Sequence, residues 1–69
     1  MTKEVKLTTM FIKLDQLLKF AGVAESGGHA KDLIQAGCVM VNGEICTQRG
    51  KKIHTGDIVE TDRDKLIVN

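Results

Sequence analysis

The sequence contains no proline, tryptophan or tyrosine, only two phenylalanines and two cysteines, and no long apolar run. Without proline or a low-complexity tract it predicts a compact unit lacking linkers, so residues 1–69 are treated as one domain. Its 42% hydrophobic and 28% charged content argue against disorder. The polar first residues, followed by no apolar stretch, exclude a signal peptide or transmembrane helix, and we expect a cytoplasmic protein.

The two cysteines, Cys38 and Cys46, flank the dipeptide Asn42-Gly43, a strong hairpin signal. In a two-residue loop they point to opposite faces. In a three-residue loop they are diagonal neighbours about 7–8 Å apart, beyond the usual reach of a disulfide. We therefore expect two thiols that pack as small residues. Cys38, Cys46, His29 and His54 also lack the closely spaced pairs of structural zinc sites, so neither a metal nor another cofactor is expected.

The near-neutral net charge of +1 hides an uneven distribution. Residues 1–55 hold eight Lys/Arg against five Asp/Glu, whereas residues 56–69 hold two against four. The first segment thus carries +3 and the last segment −2. A local basic face can attract an anionic partner even when the total charge is small.

Two short amphipathic helices are predicted in the first half of the chain. Their apolar stripes comprise Leu14, Leu17, Leu18 and Ala21 in the first, and Ala30, Leu33, Ile34 and Gly37 in the second. Ser26 is a good N-cap for the second helix, and glycine follows each stripe as a stop signal. The short connection predicts direct packing of the two helices, similar to a helix-turn-helix.

The rest of the chain favours strands. Residues 5–8 alternate apolar and polar types and predict a strand at a sheet edge. A hairpin is expected at Asn42-Gly43, followed by a basic loop over residues 48–52, and two β-branched runs, 58–60 and 66–68, flank a polar turn. The fold class expected is α+β, with two short packed helices followed by a small, mostly antiparallel sheet.

An ordered series of these residues resembles the S4 RNA-binding domain, a module named after a small-subunit ribosomal protein. It begins at Lys13-Leu14-Asp15 and spans roughly residues 13–60. The matching positions are Lys13-Leu14-Asp15, Leu18, Ser26, Ala30-Lys31, Leu33-Ile34, Gly37, Val39, Val41-Asn42-Gly43 and Gly56-Asp57. The resemblance implies an alpha-L RNA-binding motif and structured RNA, either ribosomal RNA or a ribosomal particle, as the partner, with no membrane or small-molecule substrate.

Two positions depart from the family pattern. Where the family often has Ser-Arg and a glutamate before the alanine, this chain has Ser26-Gly27 and His29. Losing the glutamate removes a capping box and weakens the helix start by roughly a few tenths to 1 kcal/mol, and losing the arginine removes one phosphate contact. Gly27 and Gly28 compensate in our interpretation, because bare backbone at a helix N-terminus lets an anion approach closely. This glycine pair resembles the small stand-alone members of the family.

The resemblance, together with the lack of acidic neighbours in the basic loop, assigns phosphate contacts to five cations. These are Lys13, Lys31, Arg49, Lys51 and Lys52, and they join Ser26, Gly27 and Gly28 as candidate RNA-binding residues. Phe11 and Phe20 are expected in the core, which would leave no platform for stacking unpaired bases. Folded RNA would then be recognised by its shape and by the placement of its phosphates. We expect this binding to serve ribosome assembly or translation quality control.

The sequence leaves two alternatives to RNA binding. A DNA-binding helix-turn-helix would place His29, Lys31 and Gln35 in a major groove, and a protein-interaction adaptor would use the acidic segment 57–64. Asp57, Asp62 and Asp64 fit turns better than a magnesium or acid–base set. No triad, phosphate-binding glycine signature or paired carboxylates are present, so an enzyme is not expected.

Overall fold

The structure is a computed structural model that describes all 69 residues. It contains two helices and seven short strands arranged as a compact α+β fold. In chain order these are β1 (Thr2–Val5), β2 (Ile12–Lys13), α1 (Leu14–Phe20), α2 (Gly27–Gln35), β3 (Met40–Val41), β4 (Glu44–Ile45), β5 (Lys52–Ile53), β6 (Ile58–Glu60) and β7 (Lys65–Val68).

Both helices end in the same way, as the glycine signals predict. After α1, the N–H of Gly22 donates to the Lys19 carbonyl at 3.1 Å and the N–H of Val23 donates to the Leu18 carbonyl at 2.9 Å. This pair of bonds is a Schellman motif, and α2 repeats it after its own last turn. Gly22 and Gly37 adopt φ of +77° and +78°, a left-handed conformation that a side chain would strain. The two helices pack against each other.

Five strands form one sheet in the order β1-β7-β6-β3-β4, and β2 pairs with β5 in a separate two-stranded ribbon. All pairs are antiparallel except β1 with β7. The predicted strand at residues 5–8 is wrong in position, because β1 covers Thr2–Val5. Its register pairs Val5 with Val68, the last residue of β7. Two more bonds continue the contact past β1, from the Asn69 N–H to the Val5 carbonyl and from the Leu7 N–H to the Asn69 carbonyl. The expectation of an edge strand is correct.

The Asn42-Gly43 hairpin has a two-residue loop, in which Val41 pairs with Glu44 and Met40 with Ile45. Asn42 and Gly43 both have positive φ, at 52° and 85°, as a type I′ turn requires. Continuing this register, the N–H of Cys46 donates to the Val39 carbonyl at 2.9 Å. Cys38 and Cys46 are both free.

A single apolar core joins the helices to the sheet and the ribbon. All thirteen buried residues are hydrophobic, and no buried side-chain polar atom lacks a partner. They are Val5, Leu14, Leu17, Leu18, Ala24, Ala30, Ile34, Val39, Val41, Ile53, Val59, Leu66 and Val68. The apolar stripes predicted for both helices supply five of them, which fixes the inward faces of α1 and α2.

The prediction that both phenylalanines belong to the core is wrong. Phe20 is 72% exposed and Phe11 is 37% exposed. Phe20 lies outside the stripe of α1 that Leu14, Leu17 and Leu18 bury, because a helix turns about 100° per residue. Phe11 precedes Ile12, and since strand side chains alternate, packing Ile12 inward directs Phe11 outward.

Candidate nucleic-acid interface

The basic loop docks on the N-terminus of α1 through its backbone. The N–H of Leu14 donates to the Lys51 carbonyl at 2.9 Å, and the N–H of Asp15 donates to the Arg49 carbonyl at 3.1 Å. These bonds satisfy two of the amide donors that a helix start leaves unpaired. Because only backbone atoms make them, the Arg49 and Lys51 side chains remain exposed beside Lys13, the N-cap of α1.

The β2–β5 ribbon sets two lysines directly opposite each other. Its register pairs Ile12 with Ile53 and Lys13 with Lys52. Ile53 is completely buried, so the isoleucine pair faces the core and the lysine pair faces solvent. Side chains directly opposite in an antiparallel pair lie about 4.5–5.5 Å apart at Cβ, and like charges there are destabilising. The fold therefore holds two positive charges close together at some expense in stability.

Phe11 and His54 extend this outer surface of the ribbon. The Lys52 ammonium lies 4.9 Å from the centroid of the Phe11 ring, a cation–π distance. The Phe11 and His54 rings are 6.2 Å apart between centroids. We call the surface formed by Phe11, Lys13, Lys52 and His54 the ribbon face.

No lysine or arginine of the chain forms a salt bridge. The only ion pair within 4 Å joins His54 Nδ1 to Asp57 Oδ2 at 3.9 Å, and it exists only when the histidine is protonated. No carboxylate of this chain therefore lies within ion-pair distance of the cations around the start of α1. Such a group can attract the phosphates of a polyanion.

The start of α2 is capped in both directions. Ser26 Oγ accepts from the His29 N–H at 3.1 Å, which confirms Ser26 as the N-cap. His29 Nδ1 in turn accepts from the Glu25 N–H at 3.1 Å. His29 thus takes over much of the role of the missing glutamate, although its donor precedes the N-cap by one residue. Replacement of the glutamate by His29 therefore weakens this helix start less than the sequence predicts.

Gly27 and Gly28 have room for side chains in this fold. A Cβ built on Gly27 would meet nothing within 4 Å, and one on Gly28 would meet only Ser26 Oγ at 3.9 Å. Neither glycine has a positive φ. Lys31 is half-buried, and its helical spacing puts it on the same face of α2 as the two glycines.

The structure therefore distributes the candidate residues over two places. Backbone bonds and strand pairing bring four of them together at the start of α1: Lys13, Arg49, Lys51 and Lys52. The other four, Ser26, Gly27, Gly28 and Lys31, lie in the first turns of α2. No hydrogen bond or strand pairing connects the two sets. Sequence reasoning missed Phe11 and His54, whose only local signal is a lysine two positions away, Lys13 or Lys52.

One further connection holds the loops beside the ribbon. Asn42 Nδ2 donates to Asp57 Oδ1 at 3.1 Å, and Asn42 Oδ1 accepts from the Ile58 N–H at 2.9 Å. Asp57 Oδ2 accepts from the His54 N–H at 2.8 Å. This backbone donor lowers the pKa of Asp57 below the ordinary value of 3.8; partial burial opposes the shift, while Asn42, His54 and Lys51 add to it. Asp57 thus orders the segment that carries Lys52 and His54.

The structure groups no three His, Cys, Asp or Glu side chains in a way that could hold a metal ion. Neither helix has the length and apolarity needed to cross a bilayer.

The family model described as the S4 domain matches residues 5–69, nearly the whole sequence. The chain belongs to the S4 domain family. Among its relatives is the "Probable ribosome maturation protein RlbA" of Bacillus subtilis (strain 168), which is 42% identical over 60 residues, covering 87% of this chain and 84% of that protein. "Hemolysin A" of Brachyspira hyodysenteriae is 41% identical over 49 residues, 71% of this chain but 20% of that longer protein.

Membership of the S4 domain family agrees with the resemblance carried by residues 13–60. The match also includes β7 and the last residue of β1, Val5, outside that core motif. Most of the Brachyspira protein lies beyond the region shared with this chain.

Proposed function

We propose that this chain binds structured RNA, either ribosomal RNA or a ribosomal particle, and acts without catalysis in ribosome assembly or translation quality control in the cytoplasm. The pairing of Lys13 with Lys52 on the ribbon face carries the proposal. Two opposed like charges lower stability, and a polyanion that binds between them removes that repulsion. Family membership and the ribosome maturation name of the Bacillus relative support RNA and the ribosome as the partner.

Recognition in this proposal depends on the shape and phosphates of folded RNA. Lysine and arginine supply attraction that is independent of sequence, while the spacing of the cations selects an RNA surface. The start of α2 contributes Ser26, Gly27, Gly28 and Lys31 as a second set of contacts, as in the alpha-L RNA-binding motif expected of the helix pair. Open space at Gly27 supports this role, because no packing in the free protein requires a glycine there.

Two observations weaken the alternative functions. A DNA-binding helix-turn-helix would need the side chain of His29 free on α2, yet His29 Nδ1 accepts from the Glu25 backbone. An adaptor using the acidic segment 57–64 would need Asp57, whose two oxygens are bonded to Asn42 and His54. Competition between structured RNA and duplex DNA in a gel shift tests the DNA alternative, and preference for DNA would support it.

The test of RNA binding compares two double variants with the same change in net charge. Lys13→Ala/Lys52→Ala alters the ribbon face, whereas Lys19→Ala/Arg63→Ala removes two exposed charges elsewhere. Five phosphate contacts predict a slope of log K against log salt of roughly −3.5 to −4.5 for the wild type. The ribbon variant should make the slope shallower by roughly 1.4–1.8, and the control should keep the wild-type slope.

The charge reversal Arg49→Glu/Lys51→Glu/Lys52→Glu separates RNA binding from an adaptor function. Only backbone atoms of residues 49 and 51 dock on α1, so circular dichroism should show an intact fold. RNA affinity should collapse in this variant. Unchanged RNA affinity of this triple variant would contradict the proposal. In the comparison of the two double variants, equal changes in the salt slope would show that only net charge matters.

A further inference from the structure

A groove opens next to the ribbon face. Its volume is about 490 Å³, within the range of small-ligand sites. The residues lining it include both phenylalanines, Leu7, Met10 and Gln16. Met10 is 89% exposed and Phe20 is 72% exposed, so this apolar surface faces solvent in the free chain. Such exposure in a small domain indicates a binding surface.

Two polar side chains of the groove are also free. The Gln16 and Thr8 side chains make no hydrogen bond within the chain, whereas the Thr9 hydroxyl donates to the Phe11 carbonyl at 2.8 Å. An amide can donate to and accept from the edge of a nucleobase. Gln16 lies one helical turn before Phe20 on α1, which sets this amide beside an exposed aromatic ring.

The charge around the groove favours an anionic occupant. No Asp or Glu lines it, Lys6 does, and the Lys52 ammonium lies over Phe11, which belongs to both the groove and the ribbon face. Exposed aromatic rings next to cations are the combination with which proteins hold unpaired nucleotides, where bases stack and phosphates pair with Lys or Arg. A second copy of this chain or an apolar peptide would not require these cations.

We propose that this groove binds an unpaired nucleobase of the RNA, stacked on Phe20 with Gln16 at its edge, while the adjoining phosphates contact Lys13 and Lys52. The inference rests on the proposed function and adds base contacts to the phosphate contacts. The protein then prefers folded RNA carrying a bulged or looped-out nucleotide over an uninterrupted helix.

The experiment uses the full chain and two probes, a short RNA duplex with a bulge of unpaired adenosines and the same duplex without the bulge. Phe20→Ala and Phe20→Leu are compared with Ile45→Ala, which removes an exposed apolar side chain from β4, outside the groove. Wild-type protein should bind the bulged duplex more tightly. Both Phe20 variants should weaken that binding roughly tenfold, the order expected for one stacked base, and leave binding of the uninterrupted duplex unchanged. Ile45→Ala should change neither affinity.

Several results would overturn the inference. If Phe20→Leu binds the bulged duplex like the wild type and only Phe20→Ala is weaker, the groove takes an apolar group without stacking. If sedimentation shows a wild-type dimer that Phe20→Ala dissociates in the absence of RNA, the occupant is a second copy. Equal affinity of wild type and both variants for the bulged duplex removes the nucleobase site but leaves phosphate binding intact. Failure of the wild type to bind either duplex removes both proposals.

Discussion

Asn42 and Asp57 join the turn between β3 and β4 to the turn before β6, with Asn42 Nδ2 3.1 Å from Asp57 Oδ1. The Asn42 side chain also accepts from the backbone N–H of Ile58, the residue after Asp57. Both residues lie next to a glycine with positive φ, Gly43 or Gly56. Short polar side chains therefore hold these two turns together.

Replacing Asp57 should lower stability in a pH-dependent way. Asp57→Asn removes a charged acceptor of the His54 N–H, and hydrogen bonds to charged groups contribute about 1.5–3 kcal/mol. Since the pKa of Asp57 is lowered in the folded state, its contribution is fully present above the ordinary value of 3.8 and is lost as pH falls through the folded pKa. Urea unfolding should show the largest gap between wild type and Asp57→Asn near neutral pH, narrowing in acid. If the difference in free energy of unfolding does not change with pH, the negative charge of Asp57 is not what stabilises the fold.

Two variants of Asn42 distinguish the effect of backbone strain in the turn from the effect of the lost side-chain hydrogen bonds. Its φ of +52° is tolerated by asparagine and glycine but strains alanine by about 1–2 kcal/mol. Asn42→Gly loses only the bonds to Asp57 and Ile58, whereas Asn42→Ala loses those bonds and adds the strain. Thermal unfolding should rank the wild type above the glycine variant and the glycine variant above the alanine variant. Equal stability of the two variants would mean that strain is absent.

Lys13→Glu should stabilise the free protein and weaken its RNA complex. The substitution sets a carboxylate opposite Lys52 and at the positive end of α1, and each effect contributes about 0.3–1 kcal/mol. Chemical denaturation measures the gain, and fluorescence anisotropy with a structured RNA measures the loss. The control, Lys19→Glu, places the same charge in the last turn of α1, where it should slightly destabilise the helix and change RNA affinity less. A Lys13 variant that is more stable and still binds RNA fully would remove Lys13 from the interface.

Gly27→Ala tests the open space at the start of α2. Alanine fits without contact within 4 Å and has the better helix propensity, so the free protein should gain up to about 1 kcal/mol in stability. If the backbone at this turn approaches a phosphate, the added methyl group should lower RNA affinity in the same samples. Greater stability with unchanged RNA affinity would leave Gly27 outside the RNA contacts.

Local features of the fold were predictable from the sequence. The Ser26 cap, both helix ends and the hairpin turn at Asn42-Gly43 depend on residues a few positions apart, and the structure has each of them. The candidate cations were named from the family resemblance. Their arrangement was not predictable, because the Lys13–Lys52 pairing joins segments almost forty residues apart.

The sequence by itself determined where the helices begin and end, which turns are tight and that the fold is α+β, because capping, glycine conformation and apolar period act within a few residues of chain. Only the tertiary structure decided that β1 pairs in parallel with β7, that Phe20 faces solvent and that Asn42 meets Asp57. These outcomes depend on which apolar surfaces pack into one small core, and that packing involves residues from the whole chain.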